Sequence, residues 1–446
     1  MSIPLGDGRA EGPANRSEPQ PMTTLTLETG KPPSTIWRQA IPWLIAALIA
    51  AAAPTILPGG FALSLLCRMA IAIVFALSFN MLLGQGGMLD FGHAVFLGFG
   101  GFLALHTLKL ADTGWPIPTP ALPLVGAAGG LAAALLAGWV CTRRSGTAFA
   151  MITLGVAELA VALVLLFPGT FGGEEGLSGD RSAGPPVLGF DFGTQSQAYA
   201  VIAAWAWAAA LLMFLYTKTP LGRLANAVRD NPERVSFLGY DPARIRMRVF
   251  ALSGLFAGLA GGLVAINDEI ATSANMSGEA STAVLLMTFI GGIGRFWGPV
   301  LGAVLITFLS VALSTVTDAW QLYSGLLFVT MVVWAPGGVA GILAAHGPML
   351  RNGRATTLAP TYAATLPGLV LATAGIIGLA ELAFRLQAVR NGATPRPLLG
   401  FAADPTTLFP WLLAATLLIA GALILHATAP RAKAAWQAAA QDASGA

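Results

Sequence analysis

An all-α, polytopic membrane protein is the fold class this chain predicts, and three observations carry the prediction. Of its 446 residues, 55% are hydrophobic and 10% are charged, against roughly 25% charged in a soluble domain. Its apolar runs approach the roughly 20 residues that span a bilayer as a helix. Its 53 glycines suit helices packed in lipid, where small residues let backbones approach. A β-barrel is disfavoured, because barrel strands alternate apolar and polar residues in segments of about ten.

Residues 1–36 are polar and mixed in charge, without the n-region and h-region of a signal peptide. They are expected to form a disordered cytoplasmic tail ahead of a membrane core at 37–343. The core is predicted to open with helices at 40–56 and 61–83. A glycine-rich turn, GQGGMLDFGH, follows, and a third helix continues to residue 107. Further helices are expected at 121–140, ending at Arg143 and Arg144, and at 147–167. A polar loop then runs to residue 197 with Glu174, Glu175, Asp180 and Asp191 against Arg181. Helices at 198–216 and 249–266 flank a charged segment, and the second exits at Asp268 and Glu269.

Beyond that point the pattern is broken. The apolar stretch 282–290 is too short to span and is interrupted by GGIGRFWGP; the stretch 322–343 is interrupted by APGGVAG. Broken helices at membrane depth are tolerated only where protein or a cavity covers the backbone. A polar, proline-bearing linker is expected at 344–366. Two extra C-terminal helices, near 368–386 and 408–427, give a membrane extension at 367–430, with a tail at 431–446.

Charge orients the chain. The segment TPLGRLANAVRDNPERVSFLGYDPARIRMR, 219–248, carries Arg223, Arg229, Arg234, Arg244, Arg246 and Arg248 against Asp230, Glu233 and Asp241. Positive loops resist translocation, so this loop is expected in the cytoplasm. Counting helices back puts Arg143, Arg144, Lys31 and Arg38 on the same side and the acidic loop outside. So much charge gathered in one place also reads as a docking surface.

Ionisable residues at membrane depth cost on the order of 2.5–3.5 kcal/mol and usually face protein or a pore. Asp90 and His93, at i and i+3, can share a helix face lining a path; equally, Asp90 can cap a helix at the cytoplasmic interface. Glu158, in ITLGVAELAVALVL, reads either as a proton-relay carboxylate or as a hydrogen-bonding partner between helices. Gly291 and Gly292 in the second break pair with the first break around 84–101, as in an inverted repeat with a path between its halves. Cys67 and Cys141 are isolated, and the four histidines lack HExxH spacing, so no metal site is expected. No GxxxxGK[ST], GxSxG or catalytic carboxylate pair occurs. No catalytic residue, bound cofactor or nucleic-acid partner is expected.

Three blocks together resemble the permease subunits of branched-chain amino-acid ABC importers, in particular the LivM-type subunit. They are LLGQGGMLDFGHAVFLGFGGF; TAFAMITLGVAELA with FGGEEGLSG; and the arginine-rich segment leading to GGIGRFWGPVLGA and WAPGGVAGI. The resemblance covers about 65–343 and implies an ABC importer permease fold with broken glycine-rich helices, in the bacterial inner membrane. It implies a homologous permease subunit as heterodimer partner, two ABC ATPase subunits that hydrolyse ATP, a periplasmic substrate-binding protein and contact with membrane lipid. It further implies that the arginine-rich segment couples to an ATPase through Arg229, Glu233, Val235, Ser236 and Gly239. Val235 and Ser236 stand where that family often has alanines, and Asp90 where serine is common. The alternative is an ion-coupled secondary transporter, which calls for clustered intramembrane carboxylates.

Overall fold

A computed structural model describes residues 34–444 apart from 57–58, 113, 115–116, 188, 316, 318, 352–354 and 393–403. The helices run in the order α1 (Ser34–Ile56), α2 (Gly60–Asn80), α3 (Ala94–Asp112), α4 (Leu122–Cys141), α5 (Thr147–Leu166), α6 (Pro168–Phe171), α7 (Gln195–Lys218) and α8 (Pro220–Asp230). They continue with α9 (Pro232–Phe237), α10 (Pro242–Asp268), α11 (Gly278–Gly291), α12 (Trp297–Ser314), α13 (Trp320–Trp334), α14 (Gly338–Arg351), α15 (Ala355–Arg390) and α16 (Leu408–Ser444). A π-helical turn, Met81–Gln85, extends α2. Among the described residues, 8 helices are long and apolar enough to cross a membrane, and α13 with the first ten residues of α14 forms an apolar pair bent by 48°, a broken span or a re-entrant loop. The described residues up to Ala46 fall in a unit of their own, and those from Ala47 onward in a second, which contains everything discussed below.

Helix α10 is the axis of the second unit: 89% of its most apolar window is buried, against α2, α3 and α4. Sequence explains this directly. Gly254, Gly258, Gly261 and Gly262 form a small-residue stripe on α10, and Gly126 and Gly130 form one on α4. A Cβ placed on Gly258 would lie 2.4 Å from the Gly126 carbonyl oxygen and 2.6 Å from Gly130 Cα. The two backbones therefore touch, which is how helices gain packing energy when lipid is as apolar as their side chains. Around this crossing Phe250 meets Phe96 and Phe149 edge-on, with centroids 5.2 and 5.8 Å apart.

A second backbone-to-backbone hub joins the broken segments. Gly291 and Gly302 bring α11 and α12 together, and a Cβ on Gly302 would lie 1.8 Å from the Met287 carbonyl. Gly292 ends α11 with φ +115, a conformation open only to glycine, and meets Gly337 and Gly338 at the α13–α14 break. At the opposite end, strands β1 (Leu177–Ser178) and β2 (Ile270–Ala271) pair antiparallel and clip the polar loop to the end of α10.

The C-terminal third differs from expectation. The stretch 344–366 is helical where described, shared between α14 and α15, and α16 continues to Ser444 in place of a tail. Pro360 and Pro367 sit inside α15 and Pro430 inside α16. Proline reads as a breaker in water, but in transmembrane helices neighbours and local adjustment satisfy the freed backbone groups. The N-terminal boundary also shifts, since α1 begins at Ser34; the remainder of the 1–36 tail lies outside the described residues.

Gly258→Leu forces side-chain atoms into the α4 backbone, and overpacking of this kind costs about 1–3 kcal/mol or more. Thermal denaturation of the detergent-solubilised chain is expected to show a clear fall in Tm for this variant. Gly155→Leu, at a position with nothing within 4 Å, is expected to leave Tm unchanged.

Candidate functional site

The arginine-rich segment folds as a cap-and-proline series. Thr219, Asn231 and Asp241 each precede a proline at the first helical position, where a missing N–H costs nothing. Each side chain caps its helix. Thr219 Oγ1 accepts from Gly222 N at 3.2 Å, Asn231 Oδ1 from Arg234 N at 2.9 Å, and Asp241 Oδ1 from Ala243 N at 2.9 Å. Gly239, with φ +84, turns the chain between α9 and α10.

Burial sorts the predicted residues. Val235 is 2% exposed and anchors α9 inward, whereas Glu233, Ser236 and Gly239 face outward. Ser236 Oγ donates to the Glu233 carbonyl at 2.7 Å. Arg229 donates to the Gly84 carbonyl, chelates Asp230 at 2.9 Å, and lays its stem on Gly87, where a Cβ would lie 2.6 Å from Arg229 Cγ. It thus fastens α8 to the π-helical turn. Gly84 in turn lies beside the α11–α12 break, 3.1 Å from Gly294 N to a Cβ placed on it. The residues that reasoning from sequence missed are Phe237, Leu238 and Tyr240, which are 89%, 69% and 50% exposed. The signal was present as an apolar triplet around a glycine inside the most charged run of the chain.

The structure brings Asp90 and His93 together but seals them. Both are fully buried. Asp90 Oδ1 accepts from Gly92 N at 2.8 Å, and Asp90 Oδ2 lies 3.4 Å from His93 Nδ1. Ser78 Oγ spends its proton on the Phe75 carbonyl at 2.7 Å, so His93 Nε2 donates to it at 2.9 Å. Phe75 stacks on the imidazole at 5.3 Å, and Phe79 and Phe96 meet it edge-on. Asp90 therefore caps a buried chain turn, and His93, through Ser78, holds α2 against the start of α3.

Glu158 stands apart from that cluster, exposed on the outward face of α5. A Cβ on Gly278 would lie 3.8 Å from Glu158 Oε1, which sets Glu158 beside the start of α11. Glu279, also exposed, accepts from Gln321 Nε2 at 2.5 Å, and Thr282 is exposed one turn along the same helix. Helices α5, α11 and α13 thus bring exposed polar side chains together along one lateral face. Gly291 and Gly292 lie buried in the glycine hub and line no open face.

At the far end Arg181 organises the acidic loop. Its guanidinium donates to the Gly193 carbonyl at 3.0 Å, the Ile266 carbonyl at 3.3 Å and Gln195 Oε1 at 3.3 Å, and its backbone N–H donates to Glu269 at 2.9 Å. Next to it, the Ser182 hydroxyl and amide hold the Asp180 carboxyl below its ordinary range. The stabilisation this carboxylate gives the turn is fully present at neutral pH and is lost as the pH falls through the depressed value.

Residues 61–335 match the model of a protein family described as branched-chain amino acid transport system, permease component. The chain belongs to this family. The high-affinity branched-chain amino acid transport system permease protein LivM of Salmonella typhimurium is 28% identical over 295 residues, 60% of this permease and 67% of that protein. LivM of Escherichia coli is 27% identical over the same shares. The fructose import permease protein FrcC of Rhizobium meliloti is 28% identical over 195 residues, 41% of this permease and 53% of that protein. No solved structure matches. This is a multi-pass membrane permease component whose α15 and α16 lie beyond the matched region.

Arg181→Met removes the guanidinium from three acceptors and is expected to cost about 2–4 kcal/mol of local stability. Hydrogen exchange across residues 179–195 is expected to accelerate by at least tenfold, while α8 and α9 exchange as before.

Proposed function

We propose that this chain is a transmembrane subunit of an ATP-driven importer in the bacterial inner membrane, with its N-terminus cytoplasmic. It works with a homologous permease subunit, two ABC ATPase subunits and a periplasmic binding protein. It binds no cofactor itself, and its partners consume the ATP. The observation that carries this reading is the apolar tip of Phe237, Leu238 and Tyr240, exposed on a rigidly capped segment rimmed by charge. Exposed large apolar residues ringed by polar ones mark protein interaction sites. The excess of arginine sets that tip on the side where ATPases work.

A route from tip to membrane follows from the contacts. Closure of the ATPases displaces α9, which Val235 and the caps hold to α8. Arg229 passes the displacement to the Gly84 carbonyl, and the π-helical turn passes it to the α11–α12 break at Gly294. The glycine hub lets α11 slide with little side-chain resistance. Helix α11 forms part of the lateral face that carries Glu158 and Glu279, so the motion opens or closes that face.

Branched-chain amino acids are the substrates this reading favours over sugars. Relatives named for branched-chain amino acids align over a larger share of the chain than those named for sugars. A carboxylate-bearing face also complements an ammonium group and offers less to an uncharged sugar. The second permease subunit supplies the opposite wall, which removes the cost of leaving Glu158 against lipid.

Leu238→Asp is expected to abolish ATP-driven uptake of leucine in vesicles while membrane insertion and Tm stay normal; normal uptake would sink the coupling assignment. Glu158→Gln is expected to lower uptake at least tenfold with binding-protein affinity unchanged, measured with radiolabelled substrate. Unaltered uptake in that variant would remove Glu158 from the path.

A further inference from the structure

A cavity of about 490 Å³ lies at the arginine-rich end, away from the lateral face. Its walls are Arg295 from the α11–α12 break, Trp334 at the end of α13, His346 on α14, Tyr362 on α15 and Trp436 on α16. We propose that it binds the headgroup of an anionic phospholipid of the cytoplasmic leaflet. The choice of leaflet rests on the orientation proposed above.

Charge is the first argument. Arg295 gives one N–H to the Ala340 carbonyl at 2.7 Å. A guanidinium has five N–H donors, and among the described residues no carboxylate lies within ion-pair distance of it. His346 does not compete for an anion as a free donor. Its Nδ1–H donates to the Ile342 carbonyl at 2.7 Å, which leaves Nε2 to accept from Tyr362 Oη at 2.9 Å. The cavity therefore presents a cation with spare donors and asks for an anion.

The walls say which anion. Trp334 is 78% exposed, and Trp436 lies 4.7 Å from the His346 ring. Tryptophan and tyrosine favour the headgroup level of a bilayer. Val333 and Leu343, which adjoin the wall residues Trp334 and Ile342, and Leu366, one helical turn after Tyr362, are more than half exposed, at 63%, 58% and 57%, as acyl chains require. A soluble anion would use Arg295 but would leave this apolar rim without an occupant. Basic pockets between transmembrane helices on the cytoplasmic side are where acidic headgroups bind.

The proposal also gives α15 and α16 a purpose. They supply two walls, Tyr362 and Trp436, to a cavity whose cation sits in the break at the glycine hub. At the other end of α15 a buried carboxylate, Glu381, pins it to the core through Thr317 Oγ1 at 2.5 Å and Tyr323 Oη at 3.0 Å. A bound headgroup would bridge that docked hairpin to Arg295.

The test uses the full-length chain in detergent, titrated with phosphatidylglycerol, phosphatidylcholine or inorganic phosphate and read by Tm and native mass spectrometry. Phosphatidylglycerol is expected to raise Tm and to be retained, and the other two to do neither. Arg295→Gln and Trp436→Ala are each expected to weaken retention about tenfold, the loss of one charge-assisted contact or one wall. Trp436 lies outside the core, so its variant decides the matter if Arg295→Gln fails to fold. Stabilisation by inorganic phosphate alone, or equal retention of phosphatidylglycerol by both variants, would overturn the proposal. Binding is read on the isolated chain, so its failure would leave the transport reading intact.

Discussion

A backbone broken at membrane depth has no water to bond to and must find its partners inside the protein. Several buried polar residues of this permease answer that demand. After the π-helical turn, Phe91 N donates to Thr153 Oγ1, Gly92 N to Asp90 Oδ1 and Ala94 N to Ser281 Oγ. Ser253 Oγ donates to the Ser78 carbonyl at 2.7 Å, and Arg229 and Arg295 take up the carbonyls of Gly84 and Ala340. The irregular stretch between α2 and α3 is thereby bonded to α5 and α11. Asp90 belongs to this structural set, and His93 steadies it through Ser78.

The same constraint ties the arginine-rich segment to the membrane helices. Arg229 satisfies a carbonyl freed by the irregular turn, so the segment is bonded to the weak point of α2 and not only packed beside it. Glycine contacts on the far side of that turn lead into the α11–α12 break. Two irregular stretches and one surface segment are thus linked, through the Arg229 side chain and then through glycine backbone. By contrast, α10 and α4 are locked by close approach along their lengths and offer a fixed frame.

Much of this was legible in the sequence. GQGG, GGIGRFWGP and APGGVAG marked the breaks, because their glycines come with a proline or a polar side chain and do not lie within an unbroken apolar run as those of α10 and α4 do. The arginines marked one end, and Glu174, Glu175 and Asp191 the other. Three things were hidden, each for a physical reason. Pro360 read as a linker residue because proline breaks helices in water, whereas a membrane helix tolerates it. The sealing of His93 depends on Phe75, Phe79 and Phe96 converging from two helices, and helical periodicity within one segment cannot report that. Val235 and Phe237 look alike in sequence, but only one faces the core. Which one does is decided by the caps at Thr219, Asn231 and Asp241, which set the rotation of α9.

The most direct measurement is site-specific photocrosslinking in native membranes, with the reactive group placed at Phe237 and, separately, at Glu174 in the acidic loop. The account predicts that Phe237 captures an ATPase subunit and that Glu174 captures none. Capture of an ATPase from Glu174, or none from Phe237 in an insertion-competent chain, would contradict it.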